Sequence, residues 1–179
     1  MVLAFEDIKE NSIIEIAKKM MLAARTAPKA RGTDNVCIFL LTGEEITKLA
    51  AHMKFIAQRD QIAFFERDAI NLEQSSAIII LGTPYKSLGL KNCGWCGFNT
   101  CNEKEKHANH PCVYNVHDLG IAIGSAVSIA ADNRIDNRVM FSIGKAALEL
   151  NYFPTDIKMA FGIPLSASGK NPFFDRKPI

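Results

Sequence analysis

Apolar positions recur with two different periods along the chain. Ile13, Ile14, Ala17, Met20, Met21 and Ala24 follow one another at helical spacing, which predicts an amphipathic helix ending near Pro28. Its start falls at Ser12-Ile-Ile-Glu15, which reads as a capping box: Ser12 caps the first turn and Glu15 reaches back. Residues 36–41 form an apolar run with a β-branched start and predict a buried strand. Thr42-Gly-Glu-Glu45 repeats the capping pattern ahead of a second helix, with Ile46, Leu49, Ala50, Met53 and Ile56 on its core face. A shorter helix follows over 61–72, then a second buried strand over 77–81, stopped by Gly82-Thr83-Pro84. Beyond a cysteine-bearing loop, 119–131 predicts a central helix whose Gly120, Gly124, Ala126 and Ala130 permit close packing. Residues 139–143 read as a strand, 144–150 as a short helix and 158–161 as a last strand, with a loop-like tail from Gly162. Alternating strands and helices favour a sheet covered by helices on both faces.

Composition narrows the class. The 179 residues form one domain, and 48% of them are apolar, enough to bury a core. The 21 Lys and Arg nearly balance the 19 Asp and Glu and are mixed along the chain, so no clustered basic surface for nucleic acid is expected. Glu6, Asp7 and Glu10 arrive too early for a secretory leader, and the apolar stretch 119–131 is too short to span a bilayer. These features predict a soluble cytoplasmic protein with no membrane partner.

Four of the five cysteines crowd into one segment. Cys93, Cys96, Cys101 and Cys112 have the spacing C-x2-C-x4-C-x10-C, which suits metal ligation in a reducing compartment better than a disulfide scaffold. Soft thiolates on a loop that wraps a cube are what a [4Fe–4S] cluster needs. Gly94 and Gly97 allow backbone N–H groups to turn toward the sulfurs, and Trp95 and Phe98 are placed to shield the cluster from water. Structural zinc is the alternative, but zinc sites usually pair two short knuckles, whereas here three cysteines are bunched and one is remote. Cys37 sits in a strand pattern and reads as a small core residue. His107, His110 and His117 flank the last cysteine and read as surface or supporting residues, and His52 lies on the polar side of its helix. Arg25, Lys29 and Arg31 form a basic group after a helix. They suit either an anion or the negative end of the helix dipole.

The run Cys93-Gly-Trp-Cys96-Gly-Phe-Asn-Thr-Cys101 resembles the iron–sulfur motif of electron-transport complex subunits and corrinoid iron–sulfur proteins. The whole chain resembles an uncharacterised family of ferredoxin-domain proteins, itself similar to a divergent branch of the nitroreductase fold. Three segments carry this resemblance. Ala23-Ala-Arg25-Thr-Ala27-Pro28-Lys29 is similar to the helix end and Ala-Pro-Ser turn that lie by the flavin in nitroreductases, with Lys29 in place of Ser. Asp118-Leu-Gly120-Ile-Ala122 resembles the start of their buried helix. Phe161-Gly162-Ile163-Pro164, followed by Arg176-Lys177, resembles their final strand end and the basic residues near the flavin phosphate. Gly32 and Asp34 depart from the pattern, falling where an Asn and a Gln are usual.

The resemblance implies an α+β, three-layer αβα fold: a nitroreductase-like mixed sheet flanked by helices, with 86–113 as a cysteine-rich loop inserted in it. It also implies FMN contacted by Arg25, Lys29, Arg31 and Arg176, and a homodimer. The function expected is an iron–sulfur redox protein passing electrons between a [4Fe–4S] cluster and FMN, in the manner of an FMN-dependent oxidoreductase. Its partner would be a redox protein or a small-molecule electron donor or acceptor. A redox- or oxygen-sensing module without flavin and a structural zinc domain are the alternatives. No residue stands out as a general acid or base, which suits electron transfer rather than hydrolysis.

Overall fold

Two apolar cores lie on opposite faces of one sheet, and the middle strands feed both. The computed structural model describes residues 1–174. In chain order the elements are α1 (Phe5–Thr26), a 3-10 turn (Ala30–Gly32), β1 (Cys37–Leu41), α2 (Glu44–Asp60), α3 (Ala63–Glu73) and β2 (Ala77–Pro84). There follow the short α4 (Cys101–Glu105), α5 (Val113–Asp132), β3 (Asp136–Asn137), α6 (Phe141–Glu149) and β4 (Ile157–Ser166). The sheet order is β1-β2-β4-β3.

Alternation along β2 explains the two cores. Ile78 and Ile80 pack with α2, α3 and α6, while Ala77, Ile79 and Leu81 pack with α1 and α5. With both faces covered, β2 is buried along its whole length and reads as a continuous apolar run. β4 divides in the same way, with Ala160 toward the first core and Ile163 and Leu165 toward the second. This is the three-layer α+β arrangement expected. The expected mixed sheet, however, has only antiparallel pairs among the described strands. The reason is in the connections: α2 and α3 run out and back, so β2 starts beside the end of β1, with Leu41 opposite Ile78.

The helix stripes match the spacing argument: Ile46, Leu49, Ala50, Met53 and Ile56 of α2 are all buried, as are Ile13, Ala17, Met20 and Ala24 of α1. The start of α1 does not match. The helix begins at Phe5, where Ala4 N–H donates to Asp7 Oδ2 (3.0 Å), and Ser12 lies inside it, its Oγ donating to Ile8 O (2.8 Å). Glu6 and Asp7 in the first turn favour the positive end of the helix dipole, which supports this earlier start. β1 is an edge strand and only partly buried.

Three further differences come from close packing against β4. β2 runs on through Gly82-Thr83-Pro84, because a Cβ at Gly82 would stand 2.6 Å from Ile157 Cγ2 and only glycine lets β4 come so near. β4 itself extends to Ser166 and absorbs Gly162-Ile-Pro164, which the sequence reading left to the tail. Residues 139–143 are not a strand. Only Met140 pairs with β4, exchanging hydrogen bonds with Gly162 (2.8 and 3.0 Å), and α6 begins at the next residue. There the helix presses onto the strand: a Cβ at Gly144 would lie 1.9 Å from Ala160 O, and one at Gly162 would lie 2.0 Å from Ile143 Cγ2. Gly120 and Gly124, read as close-packing positions, are instead exposed with open space where a Cβ would stand. Among the described residues no helix is long and apolar enough to cross a membrane.

The α6–β4 contact yields a stability test. Gly144→Ala is expected to destabilise the fold by about 3 kcal/mol, since backbone rather than a flexible side chain must move. A urea-unfolding midpoint unchanged from wild type would contradict this packing.

Candidate functional site

β2 leads directly into the cysteine segment. Its turns are built locally, with positive φ at Asn92 (55°), Gly94 (66°) and Gly97 (88°). The left-handed region costs glycine nothing, so Gly94 and Gly97 let the chain double back between Cys93 and Cys101. The amide of Gly97, expected to face a sulfur, donates instead to Gly94 O (3.0 Å) and closes the turn. Thr100 then caps α4: its Oγ1 accepts from Glu103 N (3.1 Å), while Glu103 Oε2 accepts from the amide one residue before the cap, Asn99 N (3.0 Å). Cys101 is therefore the first residue of α4, and Cys112 is the N-cap of α5.

Cys93, Cys96, Cys101 and Cys112 all line one pocket, together with Ser87, Leu88, Phe98 and Tyr114. All four are free thiols, Cys112 buried and the others half-buried. Cys101 Sγ points at Leu90 O at 3.8 Å. Among the described residues no three His, Cys, Asp or Glu side chains meet closely enough to hold a single metal ion. Phe98 borders the pocket and stacks on His107, with His110 edge-on, while both histidines are exposed. Trp95 does not shield the pocket as expected: it is 70% exposed and stacked flat on Tyr114.

The pocket's outer wall is fixed from below. Lys104 is only 1% exposed, and its Nζ donates to Tyr85 O. Asn115 Nδ2 donates to Lys86 O (2.8 Å) and Pro84 O (3.4 Å), while its Oδ1 accepts from Asn35 Nδ2 (3.0 Å). Ser87 N donates to Glu105 Oε1 (2.5 Å). The Ser87 hydroxyl and amide hold the Glu105 carboxyl below its usual range, against a smaller upward push from burial. That hydroxyl is buried and has no well-aligned hydrogen-bond partner, Glu105 being the group it leans on.

The basic group after α1 divides by task. Lys29 Nζ donates to the carbonyls of Ala24, Arg25 and Ala27 (2.7–2.8 Å), which is the dipole-end arrangement. Arg31, itself at φ 59°, donates to Leu88 O (3.0 Å) and Gly89 O (3.2 Å) and so holds the cysteine loop. Its neighbour Ala30 N–H donates to the buried Asp118 Oδ2 (3.0 Å), tying the same turn to α5. Arg25 pairs with Asp34 and donates to Val36 O (3.0 Å). It lines an open cleft with Asn35, Cys37, Lys86 and Asp156. Arg176 lies outside the described residues.

Burial alone would raise the Asp34 carboxyl, but hydrogen bonds from Arg25 and Val36 N and the Arg25 and Lys29 charges together hold it below its usual value. Burial, and then the Asp156 charge, push the Cys37 thiol up, which suits an unreactive strand residue. His52 meets Glu149 (3.1 Å) and stacks on Phe55. Lys104, Asn115 and the Thr100 cap of α4 were not foreseen from the sequence. The T-x-x-E spacing was a legible signal for the last of these.

A family model described as "Uncharacterized protein containing a ferredoxin domain (DUF2148)" matches residues 108–176, a span that holds Cys112 but not the other three pocket cysteines. A protein of Archaeoglobus fulgidus, named "Uncharacterized protein", is 40% identical over 185 residues, covering 99% of each chain. Among solved structures, nitroreductase A from Vibrio parahaemolyticus matches 92% of this chain with TM-score 0.56 and 15% identity, and the chain spans 61% of its length. The FMN-dependent nitroreductase NfnB from Mycobacterium smegmatis, solved with NADPH, matches 89% of this chain and 81% of its own, with TM-score 0.62 and 10% identity. At such identities these two establish a shared fold.

Two substitutions probe the anchors. Arg31→Ala should cost about 1–2 kcal/mol, since two charge-assisted hydrogen bonds are lost at a partly exposed site. It should also raise amide exchange at 87–92 by about tenfold; exchange unchanged there would contradict the anchoring role. Asp34 has a folded-state pKa below its unfolded value of about 3.9, so its contribution is present above pH 4 and vanishes as pH falls through the folded value. Asp34→Asn should therefore cost less than about 1 kcal/mol at pH 7 and a smaller amount near pH 2, with Arg25 half exposed. Equal losses at both pH values in urea melts would refute this.

Proposed function

For a chain that belongs to the family described as uncharacterised proteins containing a ferredoxin domain, we propose an iron–sulfur redox function. Cys93, Cys96, Cys101 and Cys112 would hold a [4Fe–4S] cluster. The observation that carries this reading is the gathering of these four thiols around one pocket. The donor set fits: soft thiolates alone suit iron–sulfur clusters. A cube is larger than one ion, so thiols spread around a pocket rim suit it better than they suit tetrahedral zinc. The N-terminus of α5, 20 residues long and with Cys112 at its N-cap position, favours the negative charge that four thiolates bring. When bound, the cluster supplies one-electron chemistry; the protein positions it and limits its contact with water.

The same test for FMN comes out differently. Of the four basic residues set against a flavin phosphate, Lys29 has all three N–H groups on chain carbonyls and Arg31 faces the cysteine loop. Arg25 lines an open cleft, and Arg176 is outside the described residues. This arrangement favours the second reading, a carrier or redox-sensing module without flavin.

Cysteine variants test the ligand set. In anaerobically purified protein, Cys96→Ser should lose the broad visible absorbance and most of the iron, while Cys37→Ser should keep both. Iron retained in Cys96→Ser would contradict the assignment.

A further inference from the structure

We propose that the exposed Trp95–Tyr114 face of the cysteine lobe is the docking surface for an acidic one-electron carrier protein. The proposal rests on the iron–sulfur reading above and adds the partner's class and the place where it docks.

Trp95 lies between two of the pocket cysteines, yet 70% of it is open to solvent. One face of its indole is stacked on Tyr114, with ring centroids 5.3 Å apart and planes 13° from parallel. The stack holds the indole in place while leaving its other face bare, on the order of 100 Å² of apolar surface that a partner would cover. Exposed aromatics backed by a neighbouring ring are common anchors of protein interfaces. Tyr114 lines the four-cysteine pocket and is the second residue of α5, next but one to Cys112. The two stacked rings therefore run from the pocket wall to the surface, where a docked carrier would meet them.

Charge decides the partner's chemistry. Between 86 and 113 stand Lys86, Lys91, Lys104 and Lys106 against Glu103 and Glu105. Lys104 is buried, and both glutamates accept hydrogen bonds from backbone amides of the lobe, Asn99 N and Ser87 N. Lys86, Lys91 and Lys106 are exposed, and the lobe's one salt bridge among the described residues is Lys104 with Glu105 (3.7 Å). A bare aromatic on a lysine-rich lobe suits a brief encounter with an acidic protein, in which charge speeds approach and a small apolar contact sets the pose. One electron leaves the reduced carrier and enters the cluster, and no bond forms or breaks.

The test uses flavodoxin hydroquinone as the acidic donor, followed anaerobically by its long-wavelength semiquinone band and by bleaching of the cluster. Photoreduced deazaflavin serves as a small donor that needs no docking. Lys91→Glu/Lys106→Glu should slow the flavodoxin reaction at low salt by about tenfold or more, and the wild-type rate should fall as salt rises. Trp95→Ala should slow it by about tenfold through the lost anchor. Iron content and the deazaflavin rate should be unchanged in the charge-reversal variant. A wild-type protein that deazaflavin does not bleach overturns both the cluster reading and this one. A protein that deazaflavin bleaches, but whose reaction with flavodoxin is absent or indifferent to salt and charge reversal, overturns the docking proposal alone and points to a small-molecule donor.

Discussion

Where β2 leaves the sheet, its carbonyl oxygens lose the ladder that satisfied them. Five oxygens in this stretch, those of Pro84, Tyr85, Lys86, Leu88 and Gly89, are taken up by side chains instead: Asn115 from α5, Lys104 from α4 and Arg31 from the 3-10 turn. Backbone groups taken from water without partners are costly, so the oxygens that are wholly or partly buried, all but that of Gly89, need these side chains. It also sets the geometry of the cysteines. Lys104 is three residues after Cys101 and Asn115 three after Cys112, so the groups that hold the chain beneath the pocket also fix the elements that carry its thiols.

The buried Lys104 is the costliest of these anchors. An ammonium needs partners when it leaves water, and here they are the Tyr85 carbonyl and the Glu105 carboxylate. Its cationic charge lies within the same lobe as a proposed four-thiolate centre. The two helical cores, by contrast, involve the lobe little. They position it by delivering β2 to one end of the sheet and α5 back along the other face.

Much of this was legible in the sequence, and the remainder was hidden for physical reasons. The stripes of α1 and α2 were readable because local periodicity dictates which face is buried. The cysteine spacing was readable because chain distance limits how four thiols can meet. Residues 139–143 misled because Val139 and Met140 have strand-like composition, while a single bridge to Gly162 followed by a helix start cannot be told from a short strand. Gly144 and Gly162 gave no sign of their contacts, since close approach between α6 and β4 is a tertiary fact. The roles of Lys104 and Arg31 were hidden for the same reason: their partners are carbonyls 19 and 57 residues away or more, and Arg31 reads from the sequence as one of a group of cations suited to an anion or a helix end.

The central claim is that the pocket of Cys93, Cys96, Cys101 and Cys112 holds a cubane cluster. The most direct measurement is the content of iron, acid-labile sulfide and zinc in one sample of wild-type protein purified without oxygen. The account predicts about four irons and four sulfides per chain, with zinc near zero. One zinc per chain in a colourless solution without sulfide would contradict it and leave a structural metal domain in its place.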